Sequence, residues 1–441
     1  MVYDWIIVGG GPSGFTCASL LPGNSLVLEK RRHVGGCHRA QYKNGFFSEH
    51  GPRVYSGSFV NLDRMMRSHI GIRWNDVFTK TRYAPDDLDG KRWYQWMSWR
   101  ALLMSTVMTL TYLVGIPIEG SMRDALAWWR VPEDDIEKID TVCRFSDGAG
   151  IARYRQSQFV SGFDWHTLYN FYEPKVSLDE SLWAPWRDAL SRRGVVIETG
   201  VEVSRVIVRD GAAQGVVTTT GRTIPSRGVI LCLPPVSLSK VLRASGVYDF
   251  RDLANATKYI PYYSYCLHFE PGRGSLLNAP GFVTTPWGLI YIEMPFTNHP
   301  TRILSVAITK SGARSPRTGK RAKDMSNDAI ITEILNQIPL TSRAKSTLIR
   351  VVPATEKDSA YVHAANTHRL PDRHPHVLGL GMVGCANGRS MYPFTSIENA
   401  IQNAMSFCGV TPSRPWTIRS LGAATIVAVL LAWFAFRMMT R

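Results

Sequence analysis

Met1-Val-Tyr-Asp-Trp-Ile-Ile-Val-Gly-Gly-Gly-Pro-Ser-Gly14 decides the fold, because an apolar strand runs there directly into a glycine-rich turn. Gly9, Gly11 and Gly14 satisfy G-x-G-x-x-G. The first glycine permits a tight turn, the second lets a pyrophosphate approach the backbone, and the third lets the next helix pack on the sheet. That helix, expected from about Ser13 to Leu21 behind Pro12, aims its free N–H groups and dipole at the phosphates. Working outward, a second strand follows at Ser25–Leu28, and Glu29 and Lys30 close it. An acidic residue about twenty positions beyond the first glycine accepts hydrogen bonds from the adenosine ribose and repels a 2′-phosphate. The pattern implies an ADP-containing dinucleotide.

The 441 residues suffice for two domains with large cores. Lys and Arg number 51 against 35 Asp and Glu, giving a net charge of +16. Such an excess suits a membrane surface or an anionic partner and is silent about fold. The basic stretch 310–323 has no interleaved aromatic residues, which argues against a nucleic-acid groove. The seven cysteines are dispersed and never form C-x-x-C, which suits a reducing compartment. With the first strand so close to Met1, no leader peptide is expected. His363, His368, His374 and His376 gather in a Pro-rich segment without metal-ligand spacing, so ordinary surface histidines and no metal are expected.

At the other end, Leu421–Phe436 carries no charge and is bracketed by Arg414, Arg419, Arg437 and Arg441. The run is apolar on every face. It predicts a membrane anchor over 421–439 behind a linker at 411–420, making the protein a single-pass membrane protein with its main body on the cytosolic side. As a helix, however, sixteen residues reach only about 24 Å, against a hydrocarbon core of about 30 Å. Another apolar stretch, Arg100–Ile118, is interrupted by polar residues and by Gly115 and Pro117. It reads as a core helix or as the membrane-facing wall of a substrate tunnel.

Strand and turn signals recur at 177–235 and 376–410, the former with β-branched runs on either side of Asp210-Gly211. Together with 1–80 these stretches predict one discontinuous nucleotide-binding domain. The remainder, 81–176 and 236–375, would form a second domain.

Gly35-Gly36 follows Glu29 by six residues and precedes Cys37-His38-Arg39. A second glycine pair there lets another backbone segment reach the same pyrophosphate, which two-domain flavoproteins commonly need. At this point the chain resembles the FAD-dependent amine oxidase superfamily across nearly all of 1–410. Asn44–Met66, which includes Glu49-His50-Gly51-Pro52-Arg53 and Asn61-Leu62, is similar to carotenoid-type desaturases and protoporphyrinogen oxidases. Tyr392–Ala404 resembles the desaturase C-terminal motif.

The resemblance implies an α/β fold, with a Rossmann-like FAD domain and an α+β substrate domain. The implied FAD contacts are Gly9, Gly11, Pro12, Ser13, Gly14, Glu29, Lys30, Gly35, Gly36, Arg39, Val203 at the adenine, Gly384, Ser396 and Ile397. Arg53 and Tyr392 are the candidates for direct contact with flavin or substrate. In this family the position after Gly384 usually carries a carboxylate for the ribityl chain; here it is Cys385. The function implied is hydride transfer from a small apolar substrate, a polyene or a porphyrinogen, to flavin, with membrane lipid met through the C-terminal helix. A flavin isomerase of the UDP-galactopyranose mutase kind and a non-catalytic scaffold are the alternatives.

Overall fold

The computed structural model describes residues 2–81, 88–148, 150–257, 259–260, 263–278, 281–296, 299–354, 360–361, 369–388 and 395–422. The elements that matter here begin with β1 (Tyr3–Val8), α1 (Pro12–Leu20), β2 (Ser25–Glu29), β3 (Ala40–Lys43), β4 (Phe46–Glu49) and α2 (Val60–Met65). Next come α3 (Trp99–Leu113), α4 (Glu133–Asp147), α5 (Gln156–His166), α6 (Ala184–Arg192), β5 (Val196–Thr199), β6 (Val203–Arg209), β7 (Ala212–Thr218) and β8 (Thr223–Leu231). The last are β9 (Tyr263–Phe269), β10 (Leu289–Glu293), β11 (Arg302–Ile308), β12 (Leu348–Pro353), β13 (Leu380–Met382) and α7 (Ile397–Phe407).

The principal sheet runs β5-β2-β1-β8 in parallel, with β13 also parallel to β8 and the β6–β7 hairpin joined to the start of β8. Strand alternation sends Ile7 and Val27 to one face, where they share a cluster with Phe15, Trp183 and Trp186. Ile6, Val8, Leu26 and Leu28 face the other way, toward Leu238, Val241 and Leu242. Both faces of a parallel sheet must be covered, and each buried Leu or Ile contributes about 1.5–3 kcal/mol. Asp210 and Gly211 both hold positive φ (+50° and +72°), the turn that lets β6 pair directly with β7.

A second, four-stranded antiparallel sheet runs β10-β11-β9-β12. Its Ser264, Cys266 and His268 alternate with Tyr265, Leu267 and Phe269. His268 Nε2 meets the Phe47 carbonyl at 2.9 Å, so the polar face lies against β4. This packing seats the segment after β4 against the second sheet, where a Cβ on Gly51 would lie 3.3 Å from Ser264 Oγ.

The last helix is tied in by a buried carboxylate. Glu398 is fully buried and accepts from the Asn61 backbone N–H (3.0 Å), Asn61 Nδ2 (2.7 Å), the Leu62 N–H (2.9 Å) and Gln402 Nε2 (3.0 Å). Burial pushes its carboxyl upward, and these donors pull it back. The first amides of α2, which have no carbonyl partner inside their own helix, are thereby satisfied.

The expected α/β Rossmann-like architecture is present, but the C-terminal transmembrane helix needs correction. Among the described residues no helix is long and apolar enough to cross a membrane. The described chain ends in a single 3₁₀ turn, Arg419–Leu421, held by the Arg419 N–H donating to Asp164 Oδ1 at 2.9 Å. Most of the expected anchor, residues 423–439 of 421–439, lies outside the described residues. The single-pass membrane localisation rested on that helix and falls with it; a charge-free run of about 24 Å is short for a bilayer.

Replacing Glu398 with Ala leaves several buried donors without an acceptor and is expected to cost about 3 kcal/mol or more. Glu398→Gln, which keeps one acceptor oxygen, should cost less. Urea unfolding monitored by circular dichroism measures the difference.

Candidate functional site: two glycine loops and an arginine cluster

The first loop is the β1–α1 turn. Gly9 has φ of +111°, and a Cβ there would lie 2.4 Å from the Cys232 carbonyl oxygen at the end of β8. A Cβ on Gly14 would sit 2.0 Å from the Gly9 oxygen, so α1 can start this close to the strand only with glycine at both positions. Gly11 caps α1 and Pro12 begins it. Ser13 faces away from this opening, its Oγ donating to the Ala400 carbonyl on α7 at 3.1 Å.

The second loop follows β2. The Gly35 N–H donates to the Gly10 carbonyl at 2.8 Å, pinning the two loops together. Gly36 has φ of +57°, and a Cβ on Gly11 would come 3.6 Å from the Gly36 Cα. Two backbones thus meet with no side chain between them, a cradle that any larger residue would fill. Trp183 backs the second loop, donating from Nε1 to the His38 carbonyl at 3.1 Å.

Glu29 ends β2 and is almost fully buried. Its Oε2 accepts from the Gly10 N–H (2.8 Å) and its Oε1 from the Arg31 N–H (3.0 Å). A carboxylate offers about four acceptor positions, so two remain for hydroxyl donors. Lys30 is exposed beside it. The Val201 N–H donates to the Glu29 carbonyl at 3.0 Å, which brings the start of β6, with Val203 buried, alongside the carboxylate.

The charge in this region is positive. Arg39 is buried and donates from Nη1 to the Gly36 carbonyl at 2.7 Å. Burial, with Arg31 and Arg53 nearby, lowers its guanidinium to about 10. Arg53 stands among Glu49, His50, His38 and Tyr55, electrostatically coupled to each. His50 is pushed down to about 3, first by burial and then by Arg53, Arg39 and Arg31. Burial, then Arg53 and His50, hold His38 well below the ordinary histidine range; its Nδ1 meets Tyr55 Oη at 3.0 Å. Three guanidinium groups gathered near the two loops give the region a positive potential.

The C-terminal side is built differently. The Gly384 N–H is held by Asn387 Oδ1 (2.7 Å) and its carbonyl by Asn403 Nδ2 (2.8 Å). Among the described residues, a Cβ on Gly384 would meet nothing within 4 Å. Burial raises the Cys385 thiol to about 12, and its Sγ points to the Ser396 carbonyl at 3.7 Å. The thiol is therefore neutral and offers a ribityl hydroxyl no carboxylate. Ser396 caps α7, its Oγ accepting from the Asn399 N–H at 3.1 Å, and Ile397 is buried in the core.

Tyr392 lies outside the described residues. Among the described residues no cluster is fit to hold a metal. His374, read from sequence as a surface residue, is buried and meets the Tyr248 carbonyl at 3.0 Å. An open cleft of about 580 Å³ near Arg123, Glu137, Asp140 and Lys310 contains none of the cradle residues. Sequence reasoning assigned no role to His38, Glu49, His50 or Tyr55. The available signal was the dense run of ionisable residues at 49–53 directly after a strand.

Comparison with known proteins is consistent with this geometry. Residues 7–68 match the NAD(P)-binding Rossmann-like domain family. No curated protein matches the chain. Among solved structures, an oxidoreductase from Methanosarcina mazei is 15% identical with a TM-score of 0.66, over 91% of this chain and 99% of its own. A putrescine oxidase solved with putrescine bound is 14% identical (TM-score 0.66, 93% and 98% covered). Cyclohexylamine oxidase from Brevibacterium oxydans is 13% identical (TM-score 0.62, 93% and 98% covered). The chain thus shares the overall fold of these structures. The likeness to the FAD-dependent amine oxidase superfamily holds at the level of fold, without selecting a branch.

The buried histidines make stability pH-dependent. His50 and His166, the latter lowered to about 4 by burial, bind protons more readily unfolded than folded. Their contribution is complete above about pH 6.5 and is lost as pH falls, by up to about 1.4 kcal/mol per unit and group. His166→Gln should flatten the dependence between pH 6.5 and 4, measured as the urea midpoint against pH.

Proposed function

We propose that the protein is an FAD-dependent oxidoreductase that removes hydride from a substrate C–H bond. The observation that carries this is the contact between the Gly9–Gly14 and Gly35–Gly36 loops beside Glu29. One loop would suffice for a nicotinamide dinucleotide, whereas two glycine loops with a buried arginine suit the larger FAD. The fit rests on three features: the side-chain-free cradle, the spare acceptor positions of Glu29, and the gathering of Arg31, Arg39 and Arg53 near the loops. When bound, FAD supplies the two-electron acceptor.

The chain's own contribution is to bind, orient and set charge. Glu29 would hold the adenosine ribose and favour a free 2′-hydroxyl over a phosphate. Gly11, Gly36 and Arg39 would hold the pyrophosphate, and the N-terminus of α7 with Ser396 and Ile397 would face the flavin end. At about 3, His50 is a poor proton acceptor at neutral pH, so no protein base is assigned to the step.

Arg53 bears on the substrate class. Of the apolar substrates expected from sequence, one carrying carboxylates, of the porphyrinogen kind, suits a half-buried guanidinium better than a hydrocarbon polyene. A protonated amine would meet like charge there. The galactopyranose mutase alternative calls for arginines gathered on a nucleotide-sugar diphosphate. The Arg155 backbone pairs with that of Ser121 just before α5, and Arg153 lies in the preceding turn.

The test is anaerobic mixing of the FAD-loaded protein with a carboxylated porphyrinogen, a polyene and an amine, following loss of flavin colour. Reduction by the porphyrinogen is expected, with Arg53→Met raising the half-saturating concentration at least tenfold. Reduction by amines alone would contradict this substrate class. Turnover of UDP-galactose after chemical reduction would favour the mutase, and a protein that takes up no FAD would favour the scaffold.

A further inference from the structure

The cleft of about 580 Å³ that lies apart from the cradle runs between a short helix, Met122–Trp128, and α4. Its volume falls within the range of about 300–1,000 Å³ usual for small-molecule sites. Residues three and four apart line each wall, Arg123 and Leu126 on the first helix and Glu133, Ile136, Glu137 and Asp140 on the second. Two hydrogen bonds set their order along the cleft. The Arg123 N–H donates to the Ile151 carbonyl at 3.1 Å, and the Ile151 N–H donates to Asp140 Oδ1 at 2.9 Å. Arg123 therefore lies at the Asp140 end, and the turn at 129–132 that joins the helices leaves Glu133 at the other.

The two ends differ in charge. At the first, Arg123, Arg144 and Lys310 outweigh Glu137 and Asp140. Asp140 is already committed, with Oδ1 on Ile151 and Oδ2 accepting from Arg144 Nε at 2.7 Å. Arg144 also donates from Nη1 to the Thr309 carbonyl at 2.9 Å. Lys310 is placed differently. Its side chain is only 18% exposed, yet Nζ stands 3.5 Å from Asp140 Oδ2 and 3.7 Å from Glu137 Oε1. Charge-assisted bonds of this kind are about 2.7–2.9 Å long, so the ammonium is steered by both carboxylates and keeps protons to donate. A largely buried ammonium with such long contacts gains most from an acceptor at bonding distance. Arg123 adds an exposed guanidinium at the same end. At the opposite end Glu133 is exposed, with exposed Asp134 next to it in the first turn of α4.

We propose that this cleft binds a zwitterionic chain molecule, with a carboxylate at Lys310 and Arg123, an apolar body over Leu126 and Ile136, and a terminal ammonium at Glu133. The sign of each end follows from the charges there, and the apolar middle follows from Leu126 and Ile136. The length follows from α4. Seven residues separate Glu133 from Asp140, about 10 Å along a helix. An extended chain of about eight carbons, with bonds of about 1.5 Å, covers that distance. The cleft shares no residue with the glycine cradle, so occupation requires neither FAD nor the redox reaction.

The test is calorimetric titration of the full chain with ω-aminooctanoate, octanoate and octylamine. Saturable binding of ω-aminooctanoate is expected at millimolar concentration or below, about tenfold or more tighter than either single-charge analogue. Lys310→Met should weaken ω-aminooctanoate and octanoate by about tenfold or more while leaving octylamine unchanged. Glu133→Gln should reduce ω-aminooctanoate to the affinity of octanoate and leave octanoate itself unchanged. Arg123→Gln, at an exposed position, should weaken the two carboxylates in the same sense and keeps the test decisive if Lys310→Met does not fold; urea unfolding reports on each variant. Absence of saturable ω-aminooctanoate binding would overturn the proposal, as would equal affinity in the native, Arg123→Gln and Glu133→Gln chains. Octanoate binding as tightly as ω-aminooctanoate would overturn it in favour of a plain carboxylate site. Octylamine binding as tightly would overturn it in favour of a cation site.

Discussion

The two glycine loops touch, and most of the candidate site depends on that contact. The Gly35 N–H donates to the Gly10 carbonyl, and the Gly11 and Gly36 backbones approach with no side chain intervening. The approach is possible only because Gly9 takes a backbone angle closed to most residues and Gly14 lets α1 start against the turn. With the loops joined, Glu29 lies beneath one and bonds the other, while Arg39 is carried to the rim by its bond to the Gly36 carbonyl. Positive charge gathers beside this contact, with Arg39 buried and Arg31 and Arg53 half-buried. Arg39 is held below its ordinary value first by its burial and then by Arg31 and Arg53 nearby.

A second constraint closes the site from the C-terminal side. Glu398 binds the start of α2 across more than three hundred residues of sequence, and Ser13 ties α1 to the same final helix. The segment between β4 and α2, which holds Arg53, is thereby fixed at both ends: by the second sheet through His268, and by α7 through Glu398. Cys385 marks the weaker half of the arrangement, a neutral thiol turned to the Ser396 carbonyl that offers no carboxylate.

Much of this was legible in the sequence, for physical reasons that differ by element. The chain from Tyr3 through Gly36 could be read because strand, glycine spacing and acid obey local rules. Asp210-Gly211 declared its hairpin in the same way. Glu398 could not be read, since its partners at Asn61 and Leu62 are distant in sequence; the motif resemblance drew attention to both segments without showing that one caps the other. His50 and His38 were missed because their shifted acidity arises from arginines brought together only by the fold. The apolar C-terminal run was read as a membrane span from composition alone, and composition does not distinguish a lipid environment from an apolar protein face. The exposed apolar side of α3, from Trp99 to Val114, could be recognised only once Ala101, Met104 and Met108 were seen to be buried.

The central claim is that the paired loops bind FAD, and equilibrium titration of FAD into the cofactor-stripped full chain tests it most directly. Gly11→Val is the sharpest comparison. At φ −88° and ψ −173° the backbone accepts a side chain, so the fold should persist while the cradle fills. Saturable FAD binding is predicted for the native chain, weaker by about 10–100-fold in Glu29→Ala and lost in Gly11→Val with unfolding unchanged. Equal affinity in all three proteins, or binding of NAD in preference to FAD, would contradict the account.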